Sequence, residues 1–312
     1  MTKKLSEIEQ EAKLRKQTFY DPTLDPVFKK VFRKKSTLIH FLNTFLHLEN
    51  ESEITNVEQL SRTVKLDDSK DGNAMGRFDI HARTANGQFV DIEMQRVDDD
   101  DFMDRIELYG CLLALKAKIT MDGEASRKEL EDHPYLMPTV YSIWLCNFPV
   151  PFCKGYREDL GLFRYSDIGD KQALPIYVKK RYIIIDITKF VPTRKNDLEE
   201  QWLEIFKNAP KAKRIPPNVF AEIRDVYEHL MVKNSTEDFF KKVVSSMKDK
   251  RDYWAGLATA HRRGEAEGFA KGEAKGEAKA NRRFAARDKK IAKYLRANGV
   301  SAKLLNTALA IK

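Results

Sequence analysis

Two short segments carry residues whose types and spacing could do chemistry together, RFDIHART at 77–84 and QFVDIEMQ at 88–95. Strand side chains alternate faces with period two. Phe78, Ile80 and Ala82 then share one face of the first strand, and Arg77, Asp79, His81 and Arg83 the other. In the second, Val90, Ile92 and Met94 oppose Asp91, Glu93 and Gln95, with Phe89 an apolar exception on the polar face. Facing carboxylates on paired strands lie with Cβ atoms about 5 Å apart and repel unless something compensates. A divalent cation compensates, and Mg²⁺ favours a few carboxylate oxygens plus water and phosphate. Such a centre polarises a phosphodiester and makes hydroxide from water. The same residues have a plainer reading: a solvated polar strand face on which Arg77, Arg83 and His81 neutralise the acids.

The turn decides which residues face each other. Asn86-Gly87 suggests a two-residue hairpin loop. That register sets Asp79 against Met94 and mixes the faces along the ladder. A three-residue loop, Ala85-Asn86-Gly87 with a left-handed glycine, pairs Phe78 with Met94, Ile80 with Ile92 and Ala82 with Val90. It sets Asp79 opposite Glu93, His81 opposite Asp91 and Arg77 opposite Gln95. Register follows the buried face, so the second arrangement is expected. Asp91 shares the acidic face one pair further along and is a weaker metal candidate. His81 is expected to be a surface histidine.

These strands need elements to hold them. Residues 19–49 keep helical apolar spacing from Val27 to Leu46, one or two helices packed on a sheet. Asp25-Pro26 is the expected start, with the Asp25 carboxylate as cap and proline in the first turn; Ser36 is a second candidate cap. A strand is expected within 53–65, an amphipathic helix over 101–118, and buried strands at 139–147 and 181–187. The loop 66–76 is rich in turn formers. The acidic run Asp98–Asp101 suits a loop and helix start. From Asp197 to about Ala260 the pattern is helical, broken at Pro216-Pro217.

The C-terminal segment differs. Net charge over the 312 residues is +9, and Lys241–Lys312 holds 19 Lys and Arg against 7 Asp and Glu, which leaves the rest near −3. A basic tail fits a polyanion such as nucleic acid, or serves solubility alone. Gly264, Gly268, Gly272 and Gly276 recur every four residues, each costing a helix about 1 kcal/mol relative to alanine. The stripe reads as a hinge or as a close helix contact, and a partner helix would give a homo-oligomer. Two short helices are expected around Asn298-Gly299, a helix-turn-helix or a dimerisation element. Cys111, Cys146 and Cys153 form no CxxC pair, so neither a zinc finger nor a disulfide framework is expected. The N-terminus lacks an apolar signal core and no stretch suits a membrane span, so a cytoplasmic protein is expected. No GxGxxG, P-loop, HExxH or nucleophile-elbow motif is present.

Asp79, Glu93-Met94-Gln95 and their flanks resemble the PD-(D/E)XK nuclease superfamily, and within it the transposase-like Rpn branch of recombination-promoting nucleases. That superfamily's core runs helix, three strands, helix, strand, with one acid on the second strand and acid–x–Lys on the third. Glutamine often stands at the lysine position in this branch, as Gln95 does here. DPVFKKVF…FLNTFL is similar to the branch's N-terminal helix, and IEMQ…DRIELYG to its third strand and following helix. The similarity spans roughly residues 19–148, and the glycine-repeat tail resembles the tails of many such proteins.

The resemblance implies an α/β, restriction-endonuclease-like core with a helical C-terminal extension. The expected organisation is a charged arm at 1–18, the nuclease-like domain at 19–192, a helical extension at 193–260 and the basic tail at 261–312. It further implies a DNA endonuclease in a recombination or mobile-element setting, with Mg²⁺ as cofactor and Mn²⁺ as substitute. Asp79 and Glu93 would ligate the metal, the Met94 carbonyl would be a third ligand, and Gln95 would orient the attacking water. An amide takes no proton at neutral pH, so deprotonation falls to metal-bound water or another group. A catalytically weak or inactive scaffold that binds DNA or a partner is the second reading. The family's further acid on the first helix has only Asp25 to match it, since no Asp or Glu lies between Val27 and Leu48. Arg105 and Tyr109, one helical turn apart, match an arginine–tyrosine pair of the branch. Arg105 is expected either on the scissile phosphate or in an ion pair with Asp101.

Overall fold

The computed structural model describes residues 11–64, 76–167, 169–170, 172–193, 197–247, 250–301, 303–304 and 307. The expected turn-rich loop falls almost wholly outside them, as does most of the arm, of which residues 11–15 are helical. The chain is mixed α/β and divides into two compact units, residues 1–256 and 257–312.

The first unit is built on a six-stranded sheet. Its strands are β1 (Val57–Gln59), β4 (Ile80–Thr84), β5 (Phe89–Gln95), β6 (Val140–Cys146), β7 (Arg157–Leu162) and β8 (Tyr177–Asp186), ordered β1-β4-β5-β6-β8-β7. β2 (Thr63–Val64) and β3 (Gly76–Arg77) form a separate antiparallel pair. β5, β6 and β8 run parallel, and the β1–β4, β4–β5 and β7–β8 pairs are antiparallel. Edge strand β7 was not expected, because REDLGL lacks both apolar alternation and β-branched residues.

Helices cover both faces, which is why the central strands read as apolar runs. On one face lie α1 (Asp25–Val31) and α2 (Lys35–Leu46), with α5 (Leu198–Asn208), α6 (Ala221–Leu230) and α7 (Glu237–Ser246). Their apolar stripes meet Ile80, Ile92, Ile143 and Ile183 in one core, centred on Phe32, Phe41, Trp202 and Phe206. On the other face α3 (Phe102–Glu124) is the crossover between the parallel strands β5 and β6, followed by the short α4 (Arg127–Asp132). Its Phe102 and Ile106 pack on Trp144 and Ile184, and its Leu112 and Leu113 on Phe78 and Phe89.

Neither α1 nor α2 has a side-chain cap. α1 begins at Asp25 itself, preceded by Leu24, and the Asp25 carboxylate bonds the Lys29 ammonium instead of a backbone N–H. α2 follows Lys34, so Ser36 is no cap. α8 (Lys250–Ala297) runs unbroken through all four tail glycines, and the chain turns at Gly299 with φ +83°. The short helix expected before Asn298 is therefore the end of one long helix. Among the described residues no helix is long and apolar enough to cross a membrane.

Two glycines test opposite demands of this fold. A Cβ on Gly110 in α3 would stand 2.2 Å from the Tyr182 hydroxyl, which is itself fixed to Glu107 at 2.5 Å. Gly276 in α8 has open space. Gly110→Ala should therefore lower stability by about 1–3 kcal/mol in urea unfolding, despite alanine's better helix propensity. Gly276→Ala should leave it unchanged or raise it.

Candidate active site

The hairpin adopts the register of the three-residue loop. Ile80 pairs with Ile92, His81 with Asp91 and Ala82 with Val90, and Gly87 takes φ +74°. The ladder then stops at Ile80. The expected pairings of Phe78 with Met94 and Arg77 with Gln95 do not form. Arg77 pairs with Thr63 instead, and the Phe78 N–H bonds the Arg62 carbonyl. This break turns the chain over, so Phe78 packs with Phe89 and Leu112 under α3 and not with Met94.

Where the ladder ends, side chains replace it. The Asp79 N–H donates to Glu93 Oε1 at 2.8 Å. The Met94 N–H donates to Asp79 Oδ2 at 3.1 Å. Asp79 and Glu93 thus lock each other through backbone hydrogens. A strand residue directs its N–H and C=O to the same edge. The Met94 carbonyl therefore faces the Asp79 side as well.

The polar face is not solvated. Glu93 is 2% exposed, Asp91 0% and Gln95 8%. Of the three acids, Asp79 alone has a side chain that reaches toward solvent, 20% exposed. Burial raises the Asp79 pKa, opposed by Lys29 and the Met94 N–H. Burial pushes Asp91 and Glu93 well above the carboxylate range; the charge of Asp79 adds to both, and that of Asp91 adds to Glu93. Asp91 and Glu93 lie two residues apart on one strand face, and one proton held between them would relieve their repulsion. Behind them the Trp144 indole donates to Ser142 Oγ at 2.8 Å, and Ser142 lies 3.5 Å from Asp91 Oδ2. Asp91 Oδ1 has no partner.

His81 is buried, not a surface residue, and burial lowers its pKa to about 4. Its Nδ1 faces the Ser61 carbonyl at 2.9 Å, so Nδ1 carries the hydrogen, and Nε2 is left unpartnered. Neither His81 nor Arg83, which pairs with Glu124, neutralises the acids.

The missing charge comes from α1. Lys29 Nζ stands 3.3 Å from Asp79 Oδ1 and also bonds Asp25. Asp25 therefore belongs to the site through Lys29. The sequence signal for Lys29 was its position four residues after Asp25, an i,i+4 ion pair. Arg62 Nη1 caps the Asp79 carbonyl at 3.3 Å. Ser142 could have been noticed as a hydroxyl within an apolar strand.

Arg105 and Tyr109 come to the same place. The Arg105 guanidinium carbon lies 5.5 Å from the Tyr109 ring centroid, and among the described residues Arg105 makes no ion pair with Asp101. Burial and the nearby Glu93 raise the Tyr109 pKa. The ring is wedged between Phe78 and Trp144. Gln95 ends β5, its carbonyl bonded to the Asn147 N–H at 2.8 Å.

A family model described as PD-(D/E)XK nuclease family transposase matches residues 22–260, more than half of the chain. The chain belongs to this family. Comparison with curated proteins and with solved structures finds no match. Members of PD-(D/E)XK nuclease families generally use divalent metals. Among the described residues no three His, Cys, Asp or Glu side chains converge as a metal cage. The donor set nevertheless fits a hard cation with few protein ligands. Two carboxylates interlock beside a backbone carbonyl, excess buried acid is countered by one ammonium, and Asp91 Oδ1 is orphaned.

Burial of the acids fixes a pH dependence. Below their ordinary values of 3.8 and 4.5, these carboxyls are protonated in folded and unfolded chains alike. Above those values the unfolded chain ionises while the folded site holds its protons. The metal-free protein should therefore lose stability as pH rises from about 4 toward the raised folded values. Asp91→Asn should flatten that fall, by on the order of 1–3 kcal/mol at pH 7. Urea midpoints across pH check this, and a variant that tracks the parent throughout would refute it.

Proposed function

We propose that this chain is a divalent-metal-dependent DNA endonuclease of a recombination or mobile-element setting. The observation that carries the reading is the interlock of Asp79 and Glu93 through the backbone hydrogens of Asp79 and Met94. It presets two carboxylates where the ladder opens. The core would be restriction-endonuclease-like, with α2, β1, β4, β5, α3 and β6 as helix, three strands, helix and strand. Residues 19–192 would form the nuclease domain, 193–260 its helical extension, and 261–312 a basic tail.

Asp79, Glu93 and the Met94 carbonyl would hold Mg²⁺, or Mn²⁺ in its place. When bound, the cation supplies Lewis-acid polarisation of the phosphodiester and a lowered pKa for water. The Gln95 carboxamide, at the end of β5, would accept a hydrogen bond from the attacking water and orient it. Arg105, steadied by the Tyr109 ring, would pair with the phosphate. Asp91 would hold Glu93 from behind. The tail's basic excess would add sequence-independent DNA affinity, and the tail is also where copies of the chain would associate.

A plasmid-nicking assay with a metal series tests this. Cleavage should require Mg²⁺ or Mn²⁺ and fall by about 10²-fold or more in Asp79→Ala and in Glu93→Ala. Variants that cleave like the parent would refute the site. One observation favours a second reading, an inactive scaffold: the buried residue at the end of β5 is Gln95, an amide that takes no proton at neutral pH. Salt-dependent DNA binding without cleavage in either metal would select it.

A further inference from the structure

Asp79 has one oxygen held by the backbone and one held by a side chain able to leave. Oδ2 accepts the Met94 N–H, and Oδ1 faces Lys29 Nζ at 3.3 Å. Among the described residues this is the sole ion pair made by the three acids Asp79, Asp91 and Glu93. Lys29 is 25% exposed on a four-carbon stem, and Asp25, 56% exposed, grips the same ammonium from one turn earlier. The backbone thus presets the carboxylates without help from Lys29. What Lys29 supplies is charge, and it has a second anchor when it lets go.

We propose that Lys29 is an exchangeable counter-ion of the site. Its ammonium neutralises Asp79 Oδ1 while no divalent cation is bound, yields that oxygen when one binds, and remains tethered to Asp25. There it presents its charge at the rim, to the phosphate of bound DNA. Asp25 is then a positioning residue that acts through Lys29, and not a metal ligand. The inference rests on the metal-dependent reading above.

Competition has a sign that a merely structural lysine would not produce. Mn²⁺ is titrated into the full chain, with free ion followed by electron paramagnetic resonance and folding checked by circular dichroism. Lys29→Met should bind Mn²⁺ roughly three- to tenfold tighter than the parent, since the competitor is gone. Asp25→Asn should bind it weaker by a similar factor, because Lys29 then rests on Asp79 alone. The double variant should match Lys29→Met. In Ca²⁺, Lys29→Met should lose about threefold or more in affinity for duplex DNA.

Unchanged or weaker Mn²⁺ binding by Lys29→Met, with normal binding by the parent, overturns the exchange and leaves the metal reading standing. A double variant far weaker than Lys29→Met makes Asp25 a ligand and overturns its assigned role. If neither parent nor Lys29→Met binds Mn²⁺, both readings fall. Should the variants not fold, ammonium-proton exchange of Lys29 in the parent reads the same event. Mg²⁺ should speed it, and an unaltered rate would sink the proposal.

Discussion

The β4–β5 ladder stops at Ile80, and beyond it the two strands are joined by side chains. Much of the site follows from that one interruption. Had the ladder continued, the Met94 amide would have been spent on the Phe78 carbonyl, and the Asp79 amide would have pointed away from β5. Both acids would then have projected from a regular surface, with nothing to fix their rotamers. Instead each carboxylate takes an amide hydrogen. A carboxylate that accepts from a backbone N–H gains a directional, charge-assisted bond. The cost is the lost ladder pairs, and Phe78 offsets part of it by burying its ring under α3.

The same interruption explains why the site needs a positive charge. α3 seals the acidic face, so Asp91 and Glu93 lose water without gaining a cation. A proton shared between them removes one charge, and Lys29 balances another at the edge. This balance is electrostatically costly near neutral pH, because the buried acids hold protons they would lose in water. Under the metal-dependent reading, a hard cation reaching Asp79 would relieve that cost. His81 follows the same logic in reverse. Seated under α3 with its Nδ1 hydrogen on the Ser61 carbonyl, it stays neutral because burial opposes the imidazolium.

Much of this was legible in the sequence. The apolar residues Ile80, Ala82, Val90 and Ile92 fixed the register, because a slip of one would have set the apolar residues of one strand against the polar residues of the other. Gly87 fixed the loop, since only a left-handed residue closes it that way. Alternation and register set Asp79 beside Glu93, and the family resemblance is what singled out Arg105 and Tyr109, whose charge and ring the fold brings near Glu93. What alternation could not reveal was burial of the polar face. Period two says which residues share a side, but not whether a helix will cover that side. His81 was misjudged for that reason. Asp25 was misjudged for another: Asp-Pro suits a cap, and a cap competes with an i,i+4 partner that only the fold orients toward Asp79. The tail glycines weighed against a continuous helix by propensity, yet α8 runs through them.

The placement of the site also follows from strand direction. β5 and β6 are parallel, so their carboxyl ends lie side by side, at Gln95 and Cys146. A parallel pair needs a crossover, and that crossover is α3, which must leave from the carboxyl end of β5. Its first two turns are therefore brought past Glu93 and Gln95 by topology alone. Arg105 and Tyr109 sit on those turns. Open α/β sheets place ligands at the carboxyl ends of their strands for this reason. Here the rule gathers an arginine, a tyrosine, a glutamine and Glu93 from one strand–helix connection; Asp79 joins them from just before β4, and α1 adds Lys29 from the other face. The sheet opening thus receives acids from its strands and cationic side chains from helices on both faces, Lys29 from α1 and Arg105 from α3.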